Sequence, residues 1–288
     1  KVAFDCSMFG ALPRPAMRAI RTVATEAYSH GHIPAVVSQH AARTLENSMA
    51  FVMPHLRSGQ RVLDVGCGPG SITLDVAERV APGEVVGVDS VEGIIEQAQS
   101  LAAARGVNAQ FKVDNTYSLS FADDSFDVVM AHQVLQHLAD PVGALKEMRR
   151  VSRPGALIAA RDADYESMLA YPSHPGIDAW RSLVRKNYLA NSHNGDAGRY
   201  VRAWFREAGF APDDLQFSVQ AVSYSFDEED RRRAWGEAWC TRTLESNLAR
   251  QALERGLATQ EELDALAAAW LEWAANPEGV FYYVNGQV

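Results

Sequence analysis

The sequence predicts an α/β chain organised on a doubly wound, mostly parallel sheet. Three observations predict it. Between Arg61 and Arg161, short Val- and Leu-rich runs alternate with longer helical ones, the pattern of a sheet covered by helices on both faces. The first run, Arg61-Val62-Leu63-Asp64-Val65, is almost wholly apolar and is followed by Gly66-Cys67-Gly68-Pro69-Gly70. A parallel strand buried on both faces reads this way. The second run, Glu84-Val85-Val86-Gly87-Val88-Asp89, ends in a carboxylate. Open α/β sheets bind their ligands at such carboxyl ends.

The elements follow in order. Residues 1–57 precede the first strand. They read as a proline-punctuated arm (1–15), a helix (17–28), a loop carrying Tyr28, His30 and His32, and a helix over 36–56. That last helix has apolar positions at Val37, Ala41, Leu45, Met49 and Val52. Ser71 is placed to cap a helix running to Val80. Pro82-Gly83 is a turn, and 91–105 forms the second core helix. Residues 109–113 form a third strand ending at Asp114-Asn115, and 126–132 a fourth ending at His132. Asp140-Pro141 then caps a helix over 142–151. Arg153-Pro154-Gly155 is a turn before a fifth strand at 156–161, with Asp162-Ala163-Asp164-Tyr165 at the edge beyond it.

Farther on, 177–189 and 199–208 read as helices, and Asn191 to Asp196 as a polar turn cluster. The alternation of Leu215, Phe217, Val219 and Ala221 gives a sixth strand. Residues 227–274 read as two helices broken near Gly256 to Thr259, with Thr259 and Glu262 as a capping box. Trp235, Trp239, Trp270 and Trp273 lie at helical spacings that suit core packing more than a substrate cage. Phe281 to Val284 suit a last, antiparallel strand.

The glycine turn separates two chemistries. A dinucleotide fingerprint reads G-x-G-x-x-G; here the spacing is G-x-G-x-G, preceded by Asp64. Asp89, one strand later, is suited to two ribose hydroxyls. The turn, the following helix and strand, Asp89, the Ser125-Phe126-Asp127 link and the run Leu145, Glu147, Arg150, Val151, Pro154 and Gly155 together resemble the class I S-adenosylmethionine (SAM)-dependent methyltransferases. The likeness is greatest to the type 11, ubiquinone/menaquinone-methyltransferase-like group. It is good over residues 60–161 and looser elsewhere.

The resemblance implies a seven-stranded Rossmann-like methyltransferase fold. Residues 1–57 would be an arm and helical lid, and 58–288 the SAM-binding domain, with a helical insertion near 227–276. It implies SAM as cofactor: Asp64, Gly66, Gly68 and Gly70 at its methionine end, Asp89 and Ser90 at the ribose, and Asp114 and Asn115 at the adenine. Val88, Val91 and Tyr117 would wall the adenine, and backbone near His132 and Gln133 would reach the ammonium. Tyr28, His30, Arg43 and Asn47 would line the site from the lid, or else are ordinary loop and helix-surface residues. His132 and His30 are the candidate bases; His137 reads as structural. A SAM-binding regulatory protein without transferase activity is the alternative.

Composition narrows the partners. With a net charge of −9, a nucleic-acid surface is disfavoured, and a small-molecule acceptor is expected. No apolar run reaches the length of a membrane span. Cys6, Cys67 and Cys240 show no metal-ligand spacing, so no metal is expected, and their dispersal suits a reducing, cytoplasmic setting. A homodimer is compatible with the resemblance.

Overall fold

The protein is described here from a computed structural model covering His40, residues 42–225 and residues 229–288. Tyr28, His30, His32 and the arm and helix expected before them lie outside the described residues. Leu45–Met49 (α1) opens with a capping box between Thr44 and Asn47. It passes into a 3-10 turn, Ala50–His55, containing Pro54, whose ring and missing N–H do not continue a helix. The helix expected over 36–56 is thus shorter at this end, although Leu45, Met49 and Val52 are buried as their spacing requires.

The core then alternates as expected: β1 Val62–Val65, α2 Ser71–Val80, β2 Val85–Asp89, α3 Glu92–Arg105, β3 Gln110–Val113, β4 Phe126–His132, α4 Pro141–Val151 and β5 Ser152–Tyr171. After it come α5 Pro175–Ala190, α6 Ala197–Glu207, β6 Ser218–Tyr224, α7 Glu229–Glu245, α8 Asn247–Glu254, α9 Gln260–Ala275 and β7 Val280–Gln287. The seven strands lie in the order β3-β2-β1-β4-β5-β7-β6. The first five in that order are parallel. Strand β7 enters between β5 and β6, antiparallel to both. The fold is the seven-stranded Rossmann-like one.

Local chemistry explains most boundaries. Asp140 accepts the Gly143 N–H at 3.0 Å, with Pro141 in the first helical turn. Thr259 and Glu262 form the expected capping box at α9. Ser71 does not cap α2. Gly70, in the left-handed region, stands at the N-cap, and the Ser71 hydroxyl instead donates to the His40 carbonyl at 3.3 Å.

Three further expectations are corrected. Strand β5 begins at Ser152 and continues to Tyr171; Gly155, at φ +79°, sits where its register with β4 shifts rather than in a turn before it. Residues 229–275 form three helices, because Ser246 breaks the run and caps α8 by accepting the Leu248 N–H. In β6 the packed face is the opposite one: Phe217 and Val219 are exposed at 40% and 54%, while Val222 and Tyr224 turn inward to a cavity. Strand alternation fixes which residues share a face, but not which face is covered.

Two large apolar clusters divide the interior. One joins β1, β2 and β4 to α4 and α6. The other joins the far half of β5 and β7 to α5, α7, α8 and α9, around Trp180, Trp239, Trp270 and Trp273. These helices build a wall over the carboxyl end of β5.

Candidate functional site

The turn after β1 is shaped from both sides. The Gly66 and Cys67 N–H groups donate to the Val88 carbonyl at 2.7 and 2.9 Å, tying the turn to β2. Gly66, Gly68 and Gly70 all have positive φ, where a Cβ is strained. A Cβ on Gly66 would lie 2.5 Å from Val134, and one on Gly70 would lie 2.8 Å from Phe111. Around Gly68 nothing would stand within 4 Å. Two glycines therefore permit packing, and the middle one leaves an open cradle. Cys67 is buried in the turn, and burial pushes its thiol well up.

Asp89 closes one side of the cradle. Its carboxylate accepts the Gly68 N–H and the Val91 N–H, both at 3.2 Å. Ser90 follows it as an exposed residue. Asp64 points into the core: it is 3% exposed and accepts the Thr73 hydroxyl at 2.6 Å. Burial pushes Asp64 up to about 7, against the lowering effect of Thr73. This geometry makes Asp64 a pin between β1 and α2. Thr73, on the first turn of α2, was not singled out from the sequence.

At the end of β3, the Asp114 carboxylate is held inside its own loop. It accepts the Ser120 hydroxyl at 2.7 Å and the Asn115 N–H at 2.9 Å, with Lys112 at 3.4 Å. Asn115 accepts the Tyr117 N–H at 2.9 Å. At the end of β4, Gln133 takes a positive φ of 58°, and its N–H donates to the Arg161 carbonyl at 2.7 Å. Its side chain bridges Asn285 Oδ1 and Gln136 Nε2, both at 2.8 Å.

His132 and Gln133 face a cavity of about 310 Å³ over the end of β4 and the middle of β5. Strand alternation sorts the side chains of β5 around it. Arg161, Ala163 and Tyr165 line the cavity. Asp162 and Asp164 face away, Asp162 accepting the Gln136 N–H at 3.0 Å and Asp164 pairing with Arg199 at 2.7 Å. The aspartates expected at the substrate edge are thus on the other face. Helix α7 contributes a stripe of Arg231, Trp235, Trp239 and Arg242, spaced for one helical face. Arg231 lies 4.6 Å over the Tyr224 ring and Arg242 4.3 Å over Trp239. Tyr224 stacks on Trp235 at 4.1 Å, and Trp235 on Tyr283 at 6.2 Å.

Arg43 and Asn47, the lid candidates within the described residues, both line the cavity. The Asn47 side chain is also engaged with Thr44, Ser48 and Ala42. His137 touches the cavity while packing against Tyr188 at 5.3 Å. Arg161, Arg231, Arg242, Tyr224 and Tyr283 were not anticipated from the sequence. The only signal was the position of Arg161 at a strand end and the Arg-Trp-Trp-Arg spacing in α7.

The charges follow from burial. Desolvation, then Arg43 and Arg161, hold the His132 imidazole well below its ordinary value, so it is neutral at neutral pH. Burial lowers Arg161 to about 10 and raises Asp162 to about 8. Folded Asp64 and Asp162 thus hold protons that the unfolded chain releases. Their contributions make folding less favourable as pH rises from the usual carboxylate range to about 8.

Comparison with known proteins accords with this arrangement. A family model described as a methyltransferase domain matches residues 56–209, more than half of the chain. The chain is 32% identical over 271 residues to an uncharacterized methyltransferase of Schizosaccharomyces pombe, covering 91% of this chain and 95% of that protein. It is 33% identical over 189 residues to a demethylmenaquinone methyltransferase of Geobacillus kaustophilus, covering 60% of this chain and 81% of the relative. Among solved structures, the YcgJ protein of Bacillus subtilis matches with a TM-score of 0.51 at 19% identity, covering 84% of this chain and 97% of that one. That structural likeness concerns the fold.

Proposed function

Because this chain belongs to the class I SAM-dependent methyltransferases, we propose that it methylates a small organic molecule held in the cavity between the end of β4, the middle of β5 and helix α7. The observation that carries this is the shared wall: His132 and Gln133 end the strand beside the glycine turn and also line the cavity. The open side of Gly68 and the carboxylate of Asp89 fit a nucleoside-bearing cofactor, since a ribose diol needs an acceptor and a close backbone approach. When bound, SAM supplies an electrophilic methyl group on a sulfonium.

In this reading the chain's own residues position and dry the site. The turn from Gly66 to Gly70 receives the methionine end, while Asp64 braces it through Thr73. Asp89 receives the ribose hydroxyls, with Ser90 beside it. Asp114 and Asn115 meet the adenine, Asp114 also bracing its own loop through Ser120. Carbonyls near His132 and Gln133 face the ammonium. Neutral His132 orients the acceptor and takes its proton where the acceptor is a hydroxyl or amine. In-line displacement needs little more than this alignment and the exclusion of water. The acidic charge balance of −9 favours a small molecule over a nucleic acid. Three dispersed cysteines support a cytoplasmic setting. No helix among the described residues is long and apolar enough to cross a membrane.

Calorimetric titration of the purified protein, with NADH beside SAM, tests the cofactor half of this proposal. Micromolar SAM binding, within the range usual for enzyme ligands, and no NADH binding are expected. Preference for NADH would overturn it.

A further inference from the structure

Among the described residues, the lining of the cavity carries cationic side chains although the chain as a whole is acidic. The chain carries a net charge of −9, yet the cavity is lined by the four arginines Arg43, Arg161, Arg231 and Arg242 and by no Asp or Glu among the described residues. The two acids on the adjoining strand, Asp162 and Asp164, are turned to the opposite face. Arg161 is 2% exposed; its Nη1 donates to the Asn47 and Ser48 carbonyls, while its Nε has no hydrogen-bond partner among the described residues. A buried N–H left in that state is costly unless a ligand completes it. Arg231 and Arg242 stand on the same face of α7, about 16 Å apart along the helix, with Trp235 and Trp239 between them. Part of the remaining wall is aromatic: Tyr224 stacks on Trp235, and Trp235 on Tyr283.

Resting on the reading of this cavity as the acceptor site, we infer that the methyl acceptor is a planar organic anion. Its conjugated body lies against the aromatic wall, and its carboxylate or phosphate is received by the arginines. Guanidinium groups bind both anions through paired N–H donors, and they keep donors for an anion even where one N–H is already engaged.

The test uses the full chain saturated with S-adenosylhomocysteine, titrated by calorimetry with matched probes: benzoate and cinnamate, their primary amides, and phenyl phosphate. At least one anion is expected to bind about tenfold or more tightly than the neutral amides, a difference of about 1.4 kcal/mol. The carboxylate and phosphate arms show which group is preferred. In Arg231→Gln, an exposed position at the cavity, this discrimination is expected to shrink to about threefold or less. In Arg242→Lys, which keeps the charge, most of it is expected to survive. S-adenosylhomocysteine affinity should be unchanged in both variants. Equal binding of anions and amides, or no binding of any probe, would overturn the inference. So would loss of S-adenosylhomocysteine affinity in Arg231→Gln, which would assign that arginine to the cofactor. Failure of the folded wild type to bind S-adenosylhomocysteine would strike at the cofactor reading itself, and is a separate result.

Discussion

Replacing Asp89 by alanine lowers SAM affinity about a hundredfold, or about 2.7 kcal/mol. The carboxylate ends β2 and accepts N–H groups from Gly68 and Val91. In the proposed complex it also accepts the two ribose hydroxyls. Hydrogen bonds to a charged acceptor contribute about 1.5–3 kcal/mol each, so losing two of them accounts for the drop even if water restores part. The fold should survive. Asp89 is only half-buried, and its replacement removes a loop contact rather than core volume. Calorimetry reads the affinity, and thermal unfolding should move by only about 3 °C, the effect of roughly 1 kcal/mol in a chain of this size. Asp89→Asn, which keeps an acceptor without the charge, should fall between the two.

Trp270→Ala destabilises the protein by about 3–5 kcal/mol, the usual cost of deleting a large buried aromatic. Trp270 is fully buried. Its ring lies 4.8 Å from Trp180, 6.0 Å from Trp239, 5.8 Å from Trp273 and 5.2 Å from Phe281. It therefore joins α5, α7, α9 and β7, and the void it leaves is ringed by other large side chains that cannot all collapse into it. Denaturant unfolding measures the loss. The neighbouring Leu271→Ala, at an exposed position, should cost only about 0.5 kcal/mol. Equal losses at both positions would mean that the aromatic cluster does not hold this layer. Trp239 stacks on Trp270 and also lines the cavity, so the variant should weaken acceptor binding more than SAM binding.

What was legible in the sequence is what local chemistry fixes. The strand and helix alternation from Arg61 to Arg161, the Asp140-Pro141 cap and the Thr259–Glu262 box each depend on residues a few positions apart. The glycine turn was readable because positive φ and close packing at Gly66 and Gly70 demand glycine whatever else surrounds them. The cavity was not readable, because it is assembled across long separations. Arg161 comes from β5, Tyr224 from β6, Arg242 from α7 and Tyr283 from β7. None carries a motif, and only the insertion of β7 beside β5 brings them together. The same distance dependence explains β6, whose apolar alternation at Phe217 and Val219 marked the wrong face. The covering layer comes from helices that follow it in the chain. Asp114, expected at the adenine, also accepts the Ser120 hydroxyl within its own loop, and its carboxylate keeps further lone pairs for an amine.

Methyl transfer to a small molecule is tested most directly by following the methyl group. Wild type and Asp89→Ala are incubated with methyl-labelled SAM and a pool of small organic acids, and the products are separated by size. Label is expected in the small-molecule fraction, matched by an equal yield of S-adenosylhomocysteine, with little turnover by the variant. Label recovered on nucleic acid or protein, or SAM bound but never turned over, would contradict it.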